Sequence, residues 1–285
     1  MSIRNNEERI GATLDENSPI STQSQNLQDP LNFVVPTMHV DLPSKGKYYA
    51  QGHPLRDEDS VEVRFMTAKD EDVLTSPNLI KKRIVLDRLV QNILLDKRIR
   101  VEDLLLGDKN AILIQARISG YGQLYEAKIQ CPSCAEEQER EFDLEECLRI
   151  EEGSFDFDEV EELENGNFKI TLPHTKAQCE VKFLRGYEEK IIMKSMDRKK
   201  DKNKEDNTLT QQLKLMLVSV NGYVEQKVIE YFVDNMPIVD SRALRYFYDK
   251  INPNTTLVAD FQCDNCDHSE DIEVPLTIDF FWPKQ

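Results

Sequence analysis

The 285-residue sequence predicts an α+β fold made of two pseudo-repeated halves, each a helical block with flanking strands and each ending in a short cysteine hairpin. Three observations carry this prediction. Cys131-Pro-Ser-Cys134 and Cys263-Asp-Asn-Cys266 both follow an alternating, strand-like segment, Tyr125–Gln130 and Leu257–Gln262, and both precede a second one, Glu141–Leu144 and Glu273–Leu276. The two hairpins also match at a constant offset of 132 residues: Ala127 with Ala259, Gln130 with Gln262, Glu141 with Glu273, Leu144 with Leu276, and, at the heads of two helix-like runs, Asp108 with Asp240. Further upstream the offset becomes 118, where Val63-Arg-Phe-Met66 answers to Val181-Lys-Phe-Leu184. The change in offset is about the size of the charged insertion Asp197–Asp206, so the chain reads as a degenerate tandem duplication.

Strand, Cys-x-x-Cys, strand is the shape of a zinc knuckle. Its tight turn brings two thiolates to one metal while nearby backbone N–H groups stabilise their charge. One such motif is weak, since it also fits a redox pair. Two with the same flanks predict a single four-cysteine, zinc-ribbon-like site, one structural Zn2+ per chain held by Cys131, Cys134, Cys263 and Cys266. Iron in a rubredoxin-like site is the alternative metal, because it uses similar thiolate geometry. His268 stands two residues after Cys266 as a substitute ligand, but four cysteines leave no vacancy. Cys147 and Cys179 fall outside the knuckles and read as buried thiols.

Charge narrows the function classes. The chain has 53 acidic against 36 basic residues and a formal net charge of −17, whereas nucleic-acid phosphates require a basic face. An anionic membrane surface is disfavoured for the same reason. No apolar run approaches the ~20 residues of a membrane span, and the N-terminus lacks a signal-peptide core. The expected setting is cytosolic and reducing, where paired Cys-x-x-Cys motifs mean metal more often than disulfide.

In chain order, residues 1–36 are polar, with no sustained period, and read as a flexible arm: either disordered or ordered only on a partner. The first half spans 37–147. Val40 and Leu42 alternate before Pro43, Ser44-Lys-Gly46 signals a turn, and Ser60–Phe65 alternates as a strand. Thr67 is a predicted N-cap with Asp70, Glu71 and Asp72 in the first turn. After Ser76-Pro77, an apolar stripe runs through Leu79, Ile80, Ile84, Leu86, Leu89, Val90, Ile93 and Leu94, and helices continue over 101–106 and 108–119. Residues 148–167, with the acids just before them, form an acidic stretch read as a solvated linker; calcium lacks its Asp-x-Asp-x-Asp-Gly spacing, and a basic partner is the other reading. The second half spans 168–285. It opens with strands at 168–173 and 179–183 and continues with helical patterns over 187–196, 209–220, 224–235 and 241–251, with Asp240 as the predicted cap of the last. Phe280-Phe-Trp-Pro283 closes the chain as an apolar tail, either packed on the core or offered as an anchor.

No reaction centre is visible. His39, His53, His174 and His268 lack partners at triad or His-Glu-x-x-His spacing, and the ten glycines form no phosphate loop. A closed four-thiolate site is structural, because catalytic zinc keeps a position open. The chain is therefore read as a non-enzymatic interaction protein.

Leu42-Pro-Ser-Lys-Gly-Lys-Tyr-Tyr49, followed by Met66-Thr-Ala-Lys-Asp-Glu-Asp-Val-Leu-Thr-Ser-Pro-Asn-Leu-Ile80, resembles the baseplate hub proteins of T-even-type contractile-tailed (myovirus) bacteriophages, most clearly over 38–144. The resemblance implies a phage tail structural protein: a hub subunit, or an assembly factor that helps build the hub. Its implied partners are other tail or baseplate proteins, and its implied place is the virion tail or the host cytoplasm during assembly. The competing reading is a zinc-ribbon factor of transcription or nucleic acid, which the acidic flanks of both knuckles (Glu136, Glu137, Glu139; Asp264, Asp267, Glu270, Asp271) disfavour. Oligomeric state is not legible.

Overall fold

The computed structural model describes residues 35–200, 207–274 and 278–281, of which 196–200 and 278–279 are described by backbone alone. The predicted N-terminal arm, save Val35 and Pro36, lies outside these residues. Val35–Gln285 forms one compact unit.

The chain opens with the antiparallel pair β1 (Thr37–Asp41) and β2 (Ser60–Arg64), joined by the Leu42–Tyr49 turn and its sequel. Four helices follow: α1 (Ala68–Leu74), α2 (Pro77–Lys81), α3 (Val85–Ile93) and α4 (Leu106–Tyr121). Thr67 caps α1 as predicted, and Asp70 reaches back to the Thr67 backbone N–H at 2.9 Å. The long apolar stripe is not one helix. Pro77 starts α2, and Arg83, at φ 53°, ends it before α3. The 101–106 segment is a short 3-10 turn leading into α4.

The first knuckle lies between β3 (Leu124–Gln130) and β4 (Glu137–Asp143), and the short helix α5 (Leu144–Cys147) follows. The acidic stretch 148–167 is built into sheets at both its ends. β5 (Leu148–Glu151) pairs with β10 (Asn254–Gln262), and β6 (Val160–Glu162) pairs with β7 (Phe168–Thr171). These are edge strands wet on both sides, so their acidity is compatible with pairing.

β7 continues to β8 (Gln178–Val181) and β9 (Leu217–Val220), giving the order β6-β7-β8-β9. The predicted 209–220 helix is therefore corrected. It is α7 (Thr208–Met216) followed by β9, because Leu217-Val-Ser-Val220 completes the sheet beside β8. α6 (Gly186–Lys200), α8 (Gln226–Asn235) and α9 (Ile238–Ile251) fill the rest of this half. β11 (Ser269–Glu273) closes the second knuckle on β10, in the sheet β11-β10-β5.

Asp240 is not the N-cap of α9. The helix starts at Ile238 behind Pro237, whose fixed φ suits a helix start, and Asp240 faces inward in its first turn. Its carboxylate accepts the N–H groups of His174 (2.8 Å) and Thr175 (2.9 Å). Asp108, in the first turn of α4, does the same for the other turn: it accepts the Ser44 N–H (3.1 Å), the Ser44 hydroxyl (2.6 Å) and the Tyr49 hydroxyl (2.7 Å). Both carboxylates are fully buried, each holding a turn that follows a Leu-Pro pair. Burial pushes the Asp108 carboxyl up, against the Ser44 and Tyr49 hydrogen bonds that pull it down.

One core runs through the unit. It includes Val63, Ile112, Leu172, Val181, Leu244 and Leu257, and α4 packs against β10. Lys109 of α4, almost wholly buried, pairs with Asp87 of α3 and Glu189 of α6, both at 2.5 Å. At the C-terminus, Phe280 and Phe281 are buried, and the buried Arg117 donates to the Phe280 carbonyl at 2.7 Å. The tail packs on the core as far as Phe281; Trp282 and Pro283 lie outside the described residues. Among the described residues no helix is long and apolar enough to cross a membrane.

Candidate metal centre

Each knuckle is a tight turn at the tip of a hairpin. The Cys131 N–H donates to the Glu136 carbonyl and the Cys263 N–H to the His268 carbonyl, both at 2.8 Å. Ala135 (φ 60°) and Asp267 (φ 53°) occupy the left-handed region that lets the turn close. The hairpins share one register: Glu126 faces Glu141, and 132 residues on, Val258 faces Glu273.

The fold brings all four predicted cysteines together. Their sulfurs lie within 4.8 Å of one another, and the four are free thiols, not disulfides. Cys131 Sγ lies 3.7 Å from Cys266 Sγ, and Cys134 Sγ lies 3.7 Å from Cys263 Sγ. Each of these two pairs joins one cysteine of the first motif to one of the second. Metal–sulfur bonds of about 2.3 Å put two corners of a tetrahedron about 3.8 Å apart, so the spacing fits one ion between four thiolates.

The surroundings suit anionic sulfur. Gln138 donates its side-chain amide to Cys263 Sγ at 3.2 Å, and the Asn265 N–H donates to the same sulfur at 3.4 Å. The Asn265 side chain lies 3.6 Å from Cys134 Sγ. The Glu136 backbone N–H and the Asn265 amide hold the Cys134 thiol down to about 6. The Cys266 thiol goes the other way, to about 12: the His268 backbone N–H lowers it, but burial and the facing thiols Cys134, Cys263 and Cys131 outweigh that. Four sulfurs crowded together cannot all ionise without a central cation, and a divalent ion would supply that charge. Arg140 links the knuckles from outside, donating to the Gln262 carbonyl (2.8 Å) and to Asp264 (2.6 Å).

His268 is not in the cluster; its Nε2 lies 3.4 Å from Glu270. Cys147 and Cys179 stand apart and buried, and burial raises both thiols, Cys179 to about 12. Sequence reading missed Gln138, Asn265 and Arg140. Asn265 lies inside the second motif and was findable as the turn's only amide, whereas Gln138 and Arg140 reach the site only through hairpin pairing.

A family model described as "T4 bacteriophage base plate protein" matches residues 35–282, a span that contains every described residue. The chain belongs to this baseplate family. No curated protein and no solved structure shows a significant match. Within the baseplate protein the Leu42–Tyr49 motif now has a physical role. Ser44 and Tyr49 bind Asp108, the Tyr49 hydroxyl also accepts the Leu105 N–H (3.2 Å), and Gly46 (φ 66°) sits where a Cβ would meet the Leu55 carbonyl oxygen at 2.2 Å.

Proposed function

We propose that this baseplate protein works in the hub of a contractile phage tail, as an incorporated subunit or an assembly factor, through protein–protein contacts and without catalysis. The observation that carries the reading is the family match across the whole described unit. The Leu42–Tyr49 resemblance points from baseplate to hub. The four thiols, closed around one point with no ligand position left for water, support a structural role for the metal, which we take to be zinc. Other tail proteins are the partners in this reading, and the virion tail, reached from the host cytoplasm, is the location. Acidic residues flank both knuckles, which favours protein partners over nucleic acid.

We also infer that the fold arose by tandem duplication. The shared hairpin register, the two equal sulfur distances between the motifs and the paired roles of Asp108 and Asp240 support it. In this view residues 37–147 and 168–285 are the two copies and the ion clamps them across 128 intervening residues.

The test is mass spectrometry of purified phage tails and of tail-assembly intermediates. The chain is expected in hub-containing particles, or in hub intermediates alone if it is an assembly factor. Absence from both would end the proposal.

A further inference from the structure

The four sulfurs are not held alike. The Gln138 side chain, on β4 of the first hairpin, crosses to the second and donates its amide N–H to Cys263 Sγ at 3.2 Å. The orientation of that amide is fixed by its other end. Gln138 Oε1 accepts the Asp264 backbone N–H at 3.3 Å and the Arg140 guanidinium at 3.0 Å, so a reversed amide would set its NH2 group against two donors. Arg140 is itself held by the Gln262 carbonyl (2.8 Å) and the Asp264 carboxylate (2.6 Å), both in the second hairpin. A relay thus runs from Asp264 through Arg140 and Gln138 to a sulfur that is only 1% exposed, in surroundings that strengthen the bond.

The same position of the other hairpin cannot do this. Gln138 stands opposite Ile129 in the β3–β4 register, and 132 residues on, Glu270 stands opposite Phe261 in the β10–β11 register. A carboxylate has no N–H to give, so Cys131, which matches Cys263, receives no equivalent donor from Glu270.

We propose that Gln138 is a positioning residue of the metal centre: from the first hairpin it stabilises negative charge on the Cys263 sulfur of the second. The proposal rests on the structural-metal reading above and adds what regulates the grip of that site, a contact that exists only while the two hairpins are docked. A charged acceptor gains most from such an N–H. Loss of an outer-shell partner lowers metal affinity by about 10–100-fold.

Chelator competition on the full, reduced, zinc-loaded chain reads the affinity. The sulfur-to-metal charge-transfer band of the cobalt(II)-loaded chain reads the charge on the sulfurs. Gln138→Glu keeps an oxygen for Asp264 and Arg140 but has no N–H, and Gln138→Leu keeps neither. Both are expected to bind zinc at least about tenfold more weakly than wild type, with the cobalt band moved to longer wavelength. Because the band comes only from chains that hold the metal, a folding defect cannot mimic its shift. Gln138 variants that bind zinc as tightly as wild type, or that bind it weakly with the band unmoved, would overturn the proposal and leave the four-thiolate site standing. A wild type that binds neither metal would overturn it together with that site.

Discussion

Replacing Cys131 by serine removes one of the four thiolates of the proposed metal site, yet its effect should reach the distant hairpin that carries Cys263 and Cys266 as well. An ion held by the four thiolates would join Cys134 to Cys263 across 128 intervening residues. Closing a loop of that length lowers the entropy of the unfolded chain by an amount worth about 5 kcal/mol at 25 °C. Peptide zinc sites bind with about 10–16 kcal/mol, so the ion has ample free energy to enforce the closure. With three thiolates left, metal retention weakens, and the clamp's share of stability, roughly 3–5 kcal/mol, should be lost. That is a large part of the ~5–15 kcal/mol that holds a typical domain together. Urea unfolding under reducing conditions, with and without chelator, reads it out. Wild type in chelator should match Cys131→Ser in metal, and chelator should add little to the variant. Hydrogen exchange should show faster opening of β10, in the half that was not mutated, as well as of β3. A variant whose midpoint is unchanged, or whose loosening stays within residues 124–143, would refute a clamp shared between the halves.

Other sites offer independent checks. Gly46→Ala should cost about 3–5 kcal/mol in a thermal or urea melt, because the new Cβ meets fixed backbone and the residue sits at positive φ; Gly122→Ala meets open space and should cost only its backbone strain at φ 83°, ψ 172°, about 1–3 kcal/mol. Lys109→Ala removes the buried cation between Asp87 and half-buried Glu189, leaving Asp87 only the Lys190 ammonium at 3.4 Å, and should cost about 3 kcal/mol. Burial lowers the Lys109 ammonium's pKa, but Glu189 and Asp87 outweigh that and raise it above 10.5, so the contribution is complete below that pH and is lost as pH rises through the folded value. Urea midpoints of wild type and variant should therefore converge in strong alkali. Asp70 behaves oppositely. Burial raises its carboxyl, but Arg64, in a two-pronged pair at 2.6 and 2.9 Å, and the Thr67 N–H outweigh that and hold it below 3.8. Its stabilisation is present above pH 3.8 and lost as acid carries the pH through the folded value, so wild type and Asp70→Asn should differ at pH 7 and converge in acid.

The convergence of the four cysteines was legible because a turn that can present two thiolates demands fixed residue types at fixed spacing, and the second Cys-x-x-Cys motif has the spacing of the first. Thr67 was legible for a similar reason: a cap and its acid lie three residues apart. What escaped depends on partners distant in sequence. Asp240 stands where a cap is expected, but its hydrogen bonds run to His174 and Thr175, more than sixty residues upstream. Leu209–Val220 is apolar enough for either helix or strand, and only β8 decides that its last four residues pair. The edge strands β5 and β6 are exposed along most of their length and too short to stand out: Leu148-Arg-Ile-Glu151 alternates for only four residues, and Val160-Glu-Glu162 does not alternate. The long helical stripe hid its break at Arg83, since nothing in that side chain announces a left-handed backbone.

Metal content measured on the intact, reduced chain bears most directly on the clamp. Native mass spectrometry should find one zinc per chain, with Cys131, Cys134, Cys263 and Cys266 protected from alkylation together and released together by chelator. No metal, two metals, iron in place of zinc, or protection of one cysteine pair without the other would contradict a single zinc clamp shared by both halves.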